Sequence, residues 1–423
     1  MSSHLKRISS YITGILENFT LDELVARMSP REGGAQKKVP TGYSEEQMLQ
    51  RLDSSGLDET DRESLADDTS RSLNEVYSHN IENYIGTLKV PVGLVGPLRV
   101  NGLFAQGEFL LPLATTEAAL VASCNRGANL ITEAGGCTAM LVNEGVSRAP
   151  GFIFNNLREA GVFVVWLEGC LEEFKREVKK TTGHGALIDM AVTVEGNHVY
   201  LIFEYHTGDA SGQNMVTIAT EQICTYILQN TPVQPKAWFV EANLSGDKKA
   251  SFQSYQAVRG KKVAAEVTIP EALIKKYLHT TPAELAEYWR LSAIGGSLSG
   301  TIGMQGHYAN GLAALYLSCG QDVACVSESA IGTTRLEMTA AGDLYGSVNL
   351  PNLMVGTVGG GTSLPSQHAC LNIMGLYGEN KARALAEVVT ALCLAGELSI
   401  MGALCSGDFT RAHRVLARKR KRK

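Results

Sequence analysis

Two segments that alternate apolar and polar residues, ALIDMAVTVEG and HVYLIFEYHTG, meet at Gly196-Asn197, and no other pattern in the chain constrains the fold as strongly. A short turn of Gly and Asn between alternating runs specifies a β-hairpin. Before it stand a strand-like GFIF from Gly151 and a helical stretch, with the charge repeats of LEEFKREVKK, up to Lys180. After it come a helix from about Gln213 to Gln229 and a strand, KAWFVEA. The resulting order, βαββαβ, is that of a ferredoxin-like unit. Such a unit returns its two ends close together, so it can be inserted into a larger domain.

The flanking sequence supplies that larger domain. From Ile81 Gly-rich turns alternate with apolar runs, and a strand-like FLLPL leads into a helix that Thr115 or Thr116 can cap. Beyond residue 240 small residues dominate, with Gly at 295, 296, 300, 303, 306 and 311, and a long Ala/Leu helix runs from about Asn380 to Cys405. Residues 1 to about 80 are charge-dense, with short amphipathic stripes such as LDELVARM and SEEQMLQRL. The expected fold is therefore α+β: a helical N-terminal arm (1–80), a large mixed helical and sheet domain in two segments (81–150 and 240–423), and the small inserted unit (151–239).

Composition narrows the function. With 44% hydrophobic and 19% charged residues the chain is not globally disordered. Lys plus Arg number 38 against 43 Asp plus Glu, which lacks the basic excess of a nucleic-acid binder. The nine Cys include no C-x-x-C pair and lie mostly in apolar or Gly-rich runs (Cys124, Cys137, Cys319, Cys393, Cys405), as reduced buried thiols do. The start lacks a signal-peptide core, and the most apolar stretch, around Val388 to Leu404, is interrupted by Glu397. These features predict a cytoplasmic protein without a membrane span.

Several residues carry candidate chemistry. Glu117, third in T-T-E, reads either as a first-turn acid favoured by the helix dipole or as a proton donor forced into a dry site, where burial raises its pKa. Asp247-Lys248-Lys249 is either a solvated turn or a cation cluster for a carboxylate or a developing oxyanion. Asp322, in the apolar run Y-L-S-C-G-Q-D-V-A-C-V, needs a distant cation if it is buried. No His pair has metal-ligand spacing, and G-x-S-x-G, P-loop and G-x-G-x-x-G motifs are missing from the sequence. The loop Thr207 to Asn214, Gly-bearing and joining a strong strand to a helix, is a natural phosphate cradle.

Set together, E-N-Y-I-G from Glu82, P-V-G-L-V-G-P-L, A-T-T-E-A-A-L-V-A-S-C-N-R-G, T-G-D-A-S-G-Q-N-M, D-K-K, the Gly-rich block ending in Ala309-Asn310, C-G-Q-D, G-T-V-G-G-G-T, A-G-E-L-S and the terminal R-A-H resemble class I 3-hydroxy-3-methylglutaryl-CoA (HMG-CoA) reductases, in their soluble catalytic portion. The resemblance implies reduction of HMG-CoA to mevalonate and CoA with two NADPH, a step of isoprenoid biosynthesis, with NADH as the alternative cofactor. It implies Glu117, Lys248, Asp322 and His413 as the catalytic residues. Lys248 would hold the oxygen that becomes negative, Asp322 would keep that lysine charged, Glu117 would donate a proton, and His413 would protonate the departing CoA thiolate. By the same resemblance Arg148, Asp247, Lys249 and Asn310 would bind the HMG portion. Ser123, Asn125, Arg126 and His307 would bind CoA, and Asp209, Asn214, His184 and Arg418 would bind the nicotinamide cofactor. It further implies a homo-oligomer with the active site at the dimer interface, and no metal, nucleic acid or membrane partner.

The chain departs from that pattern at informative places. Glu241-Ala242-Asn243 stands where the family has Ser-Gly-Asn, bringing an acid toward a carboxylate substrate. Gly183-His184 stands where NADPH-dependent members carry Ser-Arg for the 2′-phosphate. Two other readings follow: a related reductase of another acyl-CoA, or an inactive CoA-binding homologue, the latter opposed by the presence of all four catalytic positions.

Overall fold

The structure is a computed structural model that describes residues 13–14, 16, 18–30 and 39–408. It comprises two compact units, one ending at Leu88 and one beginning at Lys89.

The first unit is helical: α1 (Leu21–Met28), α2 (Glu45–Ser55), α3 (Glu59–Leu65), α4 (Asp68–Ser72) and α5 (Asn74–Ser78). Local chemistry sets the starts of α1 and α2, where Thr20 with Glu23 and Ser44 with Gln47 form reciprocal capping boxes. The unit's core is small, built from Met48, Leu52, Ala66 and Tyr84. Arg51, 3% exposed, supplements it by donating to the carbonyls of Pro40, Gly42 and Tyr84.

The second unit is built on one ten-stranded sheet. Its first part contains β1 (Val92–Gly102), β2 (Gln106–Ala114), α6 (Leu120–Glu133) and β3 (Cys137–Arg148). Then follow β4 (Gly151–Ile153), α7 (Leu157–Leu167), α8 (Leu171–Lys179), β5 (Ala186–Glu195), β6 (His198–His206), α9 (Gln213–Asn230) and β7 (Ala237–Phe239). The expected hairpin is present, with Glu195 opposite His198 and Val194 opposite Val199. β7, β4, β6 and β5 are adjacent in that order and antiparallel, the strand arrangement of the expected ferredoxin-like unit. Its first crossover is two helices rather than one, separated around Gly169. Phe152, Phe154, Phe163, Phe174 and Phe203 fill its core.

The chain then continues through α10 (Gln253–Gln256), β8 (Gly260–Ile269), α11 (Glu271–Leu278), α12 (Pro282–Ser299), α13 (Tyr308–Ser318), a 3₁₀ turn (Val323–Cys325), α14 (Val326–Ser329), β9 (Thr333–Met338), β10 (Leu344–Leu353), α15 (Pro365–Ile373) and α16 (Ala382–Cys405). β3 joins the two parts of the sheet: residues 138–145 pair with β8, and Val146 to Arg148 pair with β6. A side chain at the end of β3 therefore lies where the β4–β7 strands join the rest of the sheet.

α16 is long and apolar enough to cross a membrane, yet it forms the centre of this unit, with Val388, Leu392 and Leu398 fully or almost fully buried. Two acids on it, Glu387 and Glu397, are both 0% exposed. Glu387 accepts the backbone N–H groups of Leu103, Phe104, Ala105 and Leu141, tying the β1–β2 turn and β3 to the helix. Glu397 accepts from the backbone of Gly306 and His307 and from the Thr334 hydroxyl, each at 2.7 Å. α6 lies directly on α16: a Cβ at Gly127 would come within 1.9 Å of the Ala395 carbonyl oxygen, so only glycine permits this approach. All nine cysteines are free thiols, eight of them buried.

Candidate active site

The loop Ser245 to Lys249 carries the D-K-K motif into a cluster of charges. Ser245 is 3% exposed and receives the Ser147 hydroxyl on its carbonyl, which anchors the loop beside the end of β3. Lys248 has a positive φ of 56°. Its backbone is held on both sides, the N–H donating to Glu328 at 3.2 Å and the carbonyl accepting from the Ser327 hydroxyl at 2.7 Å. The side chain is thus directed outward, where Nζ meets the Asp322 carboxylate at 2.8 Å. That bond, opposed by partial burial, holds the lysine above its ordinary pKa of 10.5.

Behind the loop lies a buried charge network. Asp247 receives Arg148 at 3.1 Å on one oxygen and Arg259 on the other. Burial alone would raise its carboxyl, but Arg259 and Arg148 outweigh that and hold it below the usual value. Arg259 also pairs with Glu328 at 2.8 Å, and Glu328 accepts from Asn352 at 3.0 Å. Burial pushes the Glu328 carboxyl up, with Arg259 acting against it. Gln213, the first residue of α9, accepts from both arginines, so α9 takes part in the network. Lys249 lies exposed, with Nζ donating to the Asp247 carbonyl.

Two expectations need correction. Glu117 is exposed rather than dry, and neither Thr115 nor Thr116 caps α6. The chain turns at Ala119, whose φ is 74°, so the helix begins only at Leu120 and the Thr115 hydroxyl accepts the Glu117 N–H instead. Asp322, which the apolar run around it would bury, has a side chain 41% exposed. It caps the 3₁₀ turn by accepting from the Ala324 N–H, which carries it out of the apolar run. The distant cation inferred for it is Lys248.

The other expected residues are placed as follows. Asn310 and Glu117 come together, Nδ2 donating to both carboxylate oxygens at 3.1 and 2.8 Å. On α6, Ser123 and Arg126 bind Ser399, while Asn125 accepts the Gly96 N–H, so all three already have protein partners. The buried ring nitrogens of His307 make no hydrogen bond among the described residues, although Nδ1 lies 3.5 Å from Glu397. Asp209 is bound to the backbone N–H groups of Asn380 and Ala382 and thereby fastens the start of α16. Asn214 and His184 are exposed, and His413 and Arg418 lie outside the described residues.

The start of α9 carries groups suited to the phosphate of a dinucleotide. The N-cap, Gly212, provides no side-chain hydrogen bond to the helix, leaving first-turn N–H groups for a phosphate, and Asn214 is exposed there.

Sequence reasoning missed Arg259, Glu328 and Gln213 as parts of this network. The signals were a lone acid in A-C-V-S-E-S-A-I and a lone arginine just before a strand, since charges placed in apolar sequence need partners from elsewhere.

Fold and site together define a two-part α+β protein whose charge cluster can stabilise an anionic oxygen beside an uncapped helix start. Residues 44–418 match the family model of hydroxymethylglutaryl-coenzyme A reductase. The chain is 43% identical over 353 residues to a 3-hydroxy-3-methylglutaryl-coenzyme A reductase of Pyrococcus horikoshii, covering 82% of this chain and 85% of that one. It is 44% identical over 344 residues to the reductase of Methanocaldococcus jannaschii, covering 80% and 85%. A solved class II reductase of Streptococcus pneumoniae, bound to NADPH, shares the fold with a TM-score of 0.64 at 19% identity, covering 85% of this chain and 97% of that one. The chain belongs to the hydroxymethylglutaryl-coenzyme A reductase family.

Proposed function

We propose that this protein is an HMG-CoA reductase of the class I type, which reduces HMG-CoA to mevalonate and CoA with two NADPH in the cytoplasm. Membership of the family supports the reaction, and the resemblance of the whole ordered set of motifs, from E-N-Y-I-G to R-A-H, to class I members supports the class. The observation that carries the reading is the Lys248–Asp322 pair at 2.8 Å, a lysine held charged by an adjacent carboxylate at the surface of the site.

The loop at the start of α9, with Asp209 and Asn214, would hold NADPH, with His184 and Arg418 toward its 2′-phosphate, and the cofactor when bound would supply hydride to the acyl carbon. The Lys248 ammonium stabilises the negative charge that develops on the carbonyl oxygen. Asp322 orients that ammonium and keeps it protonated. Glu117, positioned by Asn310, gives a proton to the aldehyde oxygen, and His413 gives one to the CoA thiolate. Arg148, Asp247, Lys249 and Asn310 would bind the HMG portion, and Ser123, Asn125, Arg126 and His307 would bind CoA, which requires them to exchange the protein surroundings they have here. In this scheme residues 151–239 form the cofactor domain and the flanking segments the HMG-CoA domain.

We also propose a homo-oligomer whose active site forms between subunits. The exposure of Glu117 and Asp322 in one chain fits that arrangement, as does an exposed apolar stripe of Leu291, Ile294 and Leu298 on α12. The direct test is to supply HMG-CoA with NADPH and with NADH in parallel. Faster oxidation of NADPH is expected, and oxidation of neither by folded protein would contradict the reading. A fully active monomer in solution would contradict the shared site.

A further inference from the structure

Arg148 is the most heavily committed cation beside the D-K-K loop. Its side chain is 7% exposed, and one terminal nitrogen is shared by Glu241 at 3.3 Å and Asp247 at 3.1 Å. The other terminal nitrogen donates to Gln213 at 3.0 Å. The buried Nε has no hydrogen-bond partner among the described residues. Both ends of the guanidinium fork that a ligand could approach are therefore occupied.

In the buried part of this cluster the two arginines already have their counter-charges, while the exposed Lys249 is engaged by the Asp247 carbonyl and makes no ion pair with Glu241. Arg148 and Arg259 are balanced by Asp247 and Glu328, each within an ion pair of the network. Glu241 is the additional anion. It is held in place as well as attracted, since one carboxylate oxygen accepts the Ala149 N–H at 3.2 Å and the other the Asn243 N–H at 2.7 Å. A quarter of its side chain remains exposed, so an incoming ligand can reach it. A ligand carboxylate arriving at Arg148 meets a guanidinium already paired with two acids and must push one of them away.

We propose that Glu241 is a specificity-determining residue of this chain, its carboxylate occupying Arg148 in place of the terminal carboxylate of an acyl-CoA substrate. Acyl-CoA ligands with such a group must displace Glu241, and those without it need not. Discrimination then arises from repulsion built against one ligand rather than from contacts made to the other. The proposal rests on the reading of Arg148 as a residue that binds the acyl portion.

Binding calorimetry on the wild-type protein, Glu241→Ser and Glu241→Gln tests it, with HMG-CoA and with 3-hydroxy-3-methylbutyryl-CoA, which lacks the terminal carboxylate. Glu241→Gln removes the charge while keeping an oxygen for a backbone N–H, which guards against loss of the local fold. Removing one carboxylate–carboxylate contact at a partly exposed site is expected to tighten HMG-CoA binding by about tenfold or more. Affinity for the carboxylate-free ligand should change by less than about twofold, because it brings no carboxylate to Arg148 and so has no contact with Glu241 to relieve. Equal or weaker HMG-CoA binding by both folded variants, or equal gains for both ligands, overturns the proposal and leaves Glu241 a clamp on Arg148. Failure of all three proteins to bind HMG-CoA overturns it too. Binding without any NADPH oxidation defeats the reductase reading instead, while the affinity ratios still judge Glu241.

Discussion

Lys248 and Asp322 meet at 2.8 Å although they lie on separate loops, one after the inserted unit and the other after α13. The lysine's direction is not left to chance, because Glu328 and Ser327 hold its backbone on either side. Replacing Lys248 with alanine removes the charge proposed to face the developing oxyanion. Turnover should fall by roughly a hundredfold or more, the usual cost of losing such a group. Steady-state kinetics on the folded variant measures it, and near-wild-type turnover would show that another group does this work.

The same pair sets a pH dependence. Asp322 raises the folded-state pKa of Lys248 above 10.5. The pair's contribution is therefore complete below that value and is lost as pH rises through the folded pKa. In Asp322→Asn the raising partner is gone, so the alkaline limb of the residual kcat/KM profile should move to lower pH. A pH–rate series decides this, and an unmoved limb would mean that Lys248 does not govern it.

Glu387 should prove important for stability although it lies outside the proposed chemistry. Its fully buried carboxylate accepts four backbone N–H groups from two separate parts of the sheet. Glu387→Ala leaves those donors unpaired in the interior, a loss of roughly 3–5 kcal/mol. Urea unfolding gives the value directly, and a loss below about 1 kcal/mol would show that water replaces the carboxylate.

Much of the architecture was legible because its signals are local. The hairpin at Gly196-Asn197 needs only alternation and a turn, and α16 needs only its run of helix-forming apolar residues. The site was less legible where distant partners decide geometry. Asp209 reads as a ligand residue in a phosphate-cradle loop, but its carboxylate is bound to Asn380 and Ala382, far along the chain. Glu117 reads as a helix-start residue, and one left-handed residue at Ala119 moves the helix start beyond it. Glu328 and Arg259 carry no motif at all, since their meaning lies in each other.

Gly127 offers a packing prediction. The 1.9 Å separation between an added Cβ and the Ala395 carbonyl oxygen forces α6 away from α16, and Ser123 and Arg126 on that helix both bind Ser399. Gly127→Ala should cost about 1–3 kcal/mol, as overpacking does. It should also raise the KM for the CoA thioester, because the proposed CoA face moves with the helix. A variant with unchanged melting and kinetics would show that the two helices can separate freely.

The central claim is a double reduction, and the stoichiometry of NADPH consumption tests it most directly. A limiting amount of HMG-CoA is added to the purified protein with excess NADPH, and the nicotinamide oxidised and the CoA thiol released are both counted. Two NADPH oxidised and one free thiol per HMG-CoA, with mevalonate as the product, is the predicted result. One NADPH per HMG-CoA with an accumulating aldehyde, or none at all, would contradict it.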